Sequence, residues 1–96
     1  MSVSFNVEIT GGGIGAVRYG NVAIVSMVLK CKNAVNANTQ IATLANATIV
    51  SDCYVTCYGS QGSHARLKAT GAGVILTESV LNTTDYYSAT FTVIIS

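Results

Sequence analysis

"VEITGGGIGAVRYGNVAIVS", residues 7–26, is the stretch on which the fold turns. Its first half runs into Gly11, Gly13 and Ala16, which fit the G-x-G-x-x-A dinucleotide fingerprint. That fingerprint requires a βαβ unit, with a helix starting at the glycines so that its N-terminal amides face a pyrophosphate. The residues after Ala16 are Val-Arg-Tyr-Gly-Asn-Val-Ala-Ile-Val, β-branched and interrupted by a Gly-Asn pair, which disfavours a helix. A ribose-binding acid is also expected about 20 residues further on, yet no Asp or Glu lies between Glu8 and Asp52. No cofactor is therefore expected. The segment reads as strand punctuation: Gly11 to Gly13 end one strand, and Tyr19-Gly20-Asn21 turns a short Ala16–Arg18 strand into Val22–Lys30.

Working outward, alternation dominates. In Val3-Ser4-Phe5-Asn6-Val7-Glu8-Ile9-Thr10 apolar and polar side chains fall on opposite faces, as a half-buried strand requires. Val22 to Lys30 is apolar on both faces, which places it centrally or against a neighbouring subunit. The Asn-rich segment from Lys32 to Thr39 favours turns. Ala34, Ala37, Ile41 and Leu44 recur near helical spacing, so residues 33–46 are left as loop or short helix. Thr48–Val50, Cys53–Tyr58, His64–Ala69, Val74–Thr77 and Ser88–Ile95 read as further strands, separated by Gly/Ser-rich or polar turns. Short strands at this spacing predict one all-β domain over 1–96, an antiparallel sandwich or small barrel.

Composition narrows the function. Half of the 96 residues are hydrophobic and 9% are charged, against about 25% charged in ordinary soluble domains. Surface of that kind favours an oligomer. The five basic residues form no run, so no nucleic-acid footprint is expected. No segment has the roughly 18 unbroken apolar residues of a membrane span, and no membrane insertion is expected. The N-terminus has no basic region followed by an apolar core, so no signal peptide is read. Cys53 and Cys57, four apart in a strand, stand about 13 Å apart, too far for a disulfide; Cys31 can pair with either. Buried, reduced thiols are the preferred reading. C-x3-C with one His is a poor zinc signature, and no metal is expected.

Chemistry is sparse. His64, the single histidine, has no neighbouring acid in sequence, and Glu8, Asp52, Glu78 and Asp85 are scattered. The sequon matches Asn46-Ala47-Thr48 and Asn82-Thr83-Thr84 arise easily in an Asn/Thr-rich chain. A binding role has more support. Tyr54, Tyr58, Tyr86 and Tyr87 offer flat faces for a sugar ring, and His64, Arg66 and Asp85 offer hydrogen bonds. The expected saccharide site is thus Tyr58, His64, Arg66, Asp85, Tyr86 and Tyr87, on the 58–66 turn and the 82–87 loop.

From Val17 to Ser26, "VRYGNVAIVS" resembles the C-terminal head domains of bacteriophage tail-fibre and baseplate receptor-binding proteins. The resemblance rests on Arg18, Tyr19, Gly20 and Asn21 followed by Val22, Ile24 and Val25. "IATL" (41–44), "GAGVIL" (71–76) and "YYSATFTVII" (86–95) continue it in order. The family often follows the "TL" element with prolines, and this chain has none. The resemblance implies a β-sandwich or jelly-roll-like head on the virion tail tip, homotrimeric and non-enzymatic. Such a head adheres to host cell-surface glycan and contacts other virion tail proteins. A capsid or tail component that binds only virion proteins is the alternative. A glycan hydrolase using Asp85 or Glu78 is a distant third.

Overall fold

The computed structural model describes all residues from Met1 to Ser96 and contains no helix. Eight strands follow one another: β1 (Val3–Phe5), β2 (Ile9–Tyr19), β3 (Val22–Cys31), β4 (Thr39–Leu44), β5 (Cys53–Gly59), β6 (His64–Thr70), β7 (Val74–Thr77) and β8 (Tyr87–Ile94). They form one sheet in the order β1-β4-β7-β6-β5-β8-β3-β2, antiparallel at every pairing. The sheet rolls into a nearly closed barrel measuring 36 × 20 × 20 Å, with β1 and β2 at its two open edges. The expected all-β, antiparallel architecture is the one observed.

Alternation sets which side chains go in. On β3, Ala23, Val25, Met27, Leu29 and Cys31 are buried, while Ile24, Ser26 and Val28 face out. Ile41 and Leu44, Leu67, Ile75, and Tyr87, Phe91 and Val93 meet them inside from β4, β6, β7 and β8. Full burial of each large aliphatic side chain is worth about 1.5–3 kcal/mol. Loops close the ends: Val35 and Leu81 exchange both backbone hydrogen bonds (3.0 and 2.9 Å), and Ile49 pairs with Ile95.

Four sequence expectations need correction. The Val3–Thr10 stretch is not one strand. It breaks at Asn6–Glu8, where Asn6 N–H still donates to Ile41 (2.8 Å) but Glu8 C=O already accepts from Lys32 (3.1 Å). The chain thus leaves the β4 edge and joins β3 without changing its inner face, and alternation records only the face. Gly11 to Gly13 do not end a strand, because β2 runs through them to Tyr19 with a register shift between Ile9 and Gly11. Residues 33–46 are neither all loop nor helix: an Asn-rich loop precedes β4, whose Thr39–Thr43 residues pair with β7. The Thr48–Val50 strand reduces to the single bridge at Ile49. As for Val22–Lys30, expected centrally or against a neighbouring subunit, it lies inside the sheet between β8 and β2, with Ile24 and Val28 exposed on its outer face.

Candidate functional site

The β5–β6 hairpin carries a ladder of outward-facing pairs: Tyr54 opposite Lys68, Thr56 opposite Arg66, Tyr58 opposite His64. Period-two geometry puts these six on one face while Cys57, Ala65, Leu67 and Ala69 point inward. The His64 ring meets the edge of Tyr58 at 5.2 Å between centroids and 75° between planes. The Arg66 guanidinium, from the next rung, lies 4.4 Å from the Tyr54 centroid, and the Lys68 ammonium, opposite Tyr54, lies 5.5 Å from it. Both cations also hold carboxylates: Arg66 Nε is 3.1 Å from Glu78, and Lys68 Nζ is 3.7 Å from Asp52. The Tyr54 hydroxyl, and after it the Asp52 charge, raise the Lys68 pKa, so the ammonium stays charged.

This face continues across the barrel. Tyr58 pairs with Ser88 on β8, Ser88 with Val28 on β3, and Val28 with Gly13 on β2. Beside that row lie Thr90, Ser26 and Gly15, likewise paired across the same three strands. Because Gly13, Gly15, Ser26, Ser88 and Thr90 carry small side chains or none, the sheet surface sinks around Val28 into a shallow groove of about 410 Å³. The groove thus offers hydroxyls from Ser26, Ser88 and Thr90, with the exposed Tyr58 ring on the neighbouring strand.

Of the six residues singled out in sequence, the structure brings Tyr58, His64 and Arg66 together on the hairpin face. Tyr86 lies just before β8, exposed, with the Lys30 ammonium 5.3 Å from its ring centroid. Asp85 and Tyr87 are placed differently from the surface role read in sequence: each is 1% exposed. The Tyr87 hydroxyl accepts the Asn82 N–H (3.1 Å) inside the barrel end. One Asp85 oxygen accepts the Gln61 N–H (2.6 Å) and the other the Asn82 side-chain amide (2.9 Å). The Ser63 hydroxyl, then the Asn82 amide and the Gln61 N–H, hold this carboxyl below the ordinary carboxylate range in spite of its burial. Asn82 organises the same loop: its side-chain oxygen accepts from Thr84 N (3.0 Å) and Asp85 N (2.9 Å). The sequon at Asn82 is therefore a loop-building residue with its amide already engaged.

Sequence reading missed the groove, because its residues, Gly13 to Thr90, come from strands nearly eighty positions apart and none carries a distinctive functional group. One signal was present: glycine inside a strand often marks close approach by something else. Gly13 and Gly15 have no left-handed φ, and a Cβ on either meets nothing within 4 Å. Neither backbone geometry nor packing demands glycine there. The remaining depression, about 310 Å³ between Val7, Asn33 and Thr39, borders Glu8, whose carboxylate is 3.3 Å from Lys32. No protein-family model and no curated protein matches the chain.

Proposed function

We propose that the chain is a receptor-binding head of the phage tail-fibre or baseplate type, which adheres to host surface saccharide and catalyses no reaction on it. One observation carries this reading: Tyr58 pairs with Ser88 of a groove that presents three hydroxyls, and His64 stands against Tyr58 on the same sheet face. A pyranose presents an apolar C–H face and a rim of hydroxyls, so it suits an aromatic ring flanked by hydroxyl donors and acceptors. At the other end of the same face Val17, Tyr19, Ile24, Val50 and Ile94 are all exposed. Contiguous exposed apolar surface marks interaction sites, and it supports assembly of the head as a homotrimer at the virion tail tip.

A glycan array and a host-cell adhesion assay test the adhesive role. The parent is expected to bind, and Tyr58→Ala and His64→Ala to bind weakly or not at all while melting like the parent. Light scattering at micromolar concentration tests assembly, with an expected mass three times the 9.9 kDa of one chain; a monomer overturns that part. The apolar end of the face favours a second reading, a virion component that binds only other virion proteins. Trimeric mass without binding to any glycan or cell would select it.

A further inference from the structure

The groove face is electrically balanced, and that bears on which saccharides it takes. Arg66 is held by Glu78 and Lys68 by Asp52. Lys30, at the margin, lies over the Tyr86 ring. Behind the face the buried Asp85 carboxylate packs against the backbone of Gly59, one residue from Tyr58. These three cations and three carboxylates leave no net charge to attract an anion over distance. An acidic sugar at Arg66 must also displace Glu78. The groove itself holds no charged side chain: Ile14, Met27, Val28 and Ala89 line it together with glycine and the hydroxyls of Ser26, Ser88 and Thr90. Such groups hydrogen-bond neutral hydroxyls in both directions, whereas carboxylates and phosphates need an excess of donors.

We infer that the groove beside Tyr58 takes an uncharged saccharide unit, with its ring against Tyr58 and its hydroxyls on Ser26, Ser88 and Thr90. This rests on the adhesion reading above and specifies its ligand. Gly13 and Gly15 then have a physical role: each lacks the side chain that would fill the groove, in spite of the stability that glycine gives up in a strand interior. Because a Cβ at either meets no atom within 4 Å, a side chain there blocks the groove without disturbing the barrel.

The experiment uses the full chain on an array of neutral hexose and hexosamine oligosaccharides alongside uronate-, sialate- and phosphate-bearing ones, at low and high salt. The expected result is binding to neutral glycans with little change in salt, weakened about tenfold or more by Gly15→Val, whose melting temperature equals or exceeds the parent's. Gly15→Ser, which leaves the groove mostly open, is expected to retain binding. Binding confined to acidic glycans and lost in salt overturns the uncharged-ligand inference and leaves the adhesive role standing. Neutral-glycan binding untouched by Gly15→Val overturns the placement in the groove. Binding to no glycan of either kind overturns the adhesion reading itself, and the inference with it.

Discussion

The Asp85 carboxyl occupies the space that a side chain at Gly59 would enter: a Cβ there would stand 2.7 Å from Asp85 Cγ. The contact ties the end of β5 to the loop before β8, and the Gln61 N–H to Asp85 bond closes it. Tyr58 and Tyr86 flank this joint in sequence, so the buried carboxylate holds together the two backbone segments that carry their rings. Gly59→Ala should therefore destabilise the protein by about 1–3 kcal/mol through overpacking. Denaturant unfolding measures this; a midpoint equal to the parent's would show that the loop gives way without cost.

The same carboxyl makes stability fall in acid. Its folded pKa lies below the ordinary 3.8, through Ser63 first, then Asn82 and Gln61. The stabilisation is full above the unfolded value of about 3.9 and is lost as pH falls through the lower folded value. Asp85→Asn should melt below the parent at neutral pH, and the gap should hold down to about pH 4 and narrow only as pH falls below it. Parallel melting curves below that pH would contradict the assignment.

Three glycines of β2 should respond differently. Gly12 has φ +104°, and a Cβ there would run into the backbone carbonyl of Val28. Gly12→Ala combines a strained backbone with a clash against the neighbouring strand, and we expect a loss of about 2 kcal/mol or more. Gly13→Ala and Gly15→Ala should be neutral or stabilising by up to about 1 kcal/mol. Equal destabilisation at all three would mean that β2 needs glycine throughout.

Thiol reactivity should separate the cysteines. All three are free; Cys31 and Cys57 are buried, and burial raises both thiol pKa values. Cys53 is only half-buried and its Sγ donates to the Thr92 carbonyl (3.5 Å). Since the thiolate is the reactive form, an aromatic disulfide reagent at neutral pH should label Cys53 first, and the other two only on unfolding. Mass mapping of the first labelled peptide decides it, and early labelling of Cys31 or Cys57 would count against the packed core.

Much of the barrel was legible along the chain. Val74–Thr77 is a strand over the bounds expected, and the Tyr19-Gly20-Asn21 turn joins β2 to β3 as read. Tyr58, His64 and Arg66 share a face because period-two spacing and one short hairpin suffice to align them. Asp85 and Tyr87 were not legible. A polar loop residue and an aromatic strand residue look alike in sequence whether they meet solvent or the barrel interior.

By itself the sequence determined the fold class and the inward face of nearly every strand, since both follow from local alternation and turn chemistry. It also excluded the dinucleotide helix, through β-branched residues after Ala16 and the missing acid. Only the tertiary structure decided which strand lies beside which. It moved the chain at Asn6–Glu8 from one sheet edge to the other, set Val28 between Gly13 and Ser88, and buried the Asp85 carboxylate against Gly59. The reason is physical: alternation specifies a side of the sheet, whereas neighbours are chosen by long-range pairing whose partners lie tens of residues apart.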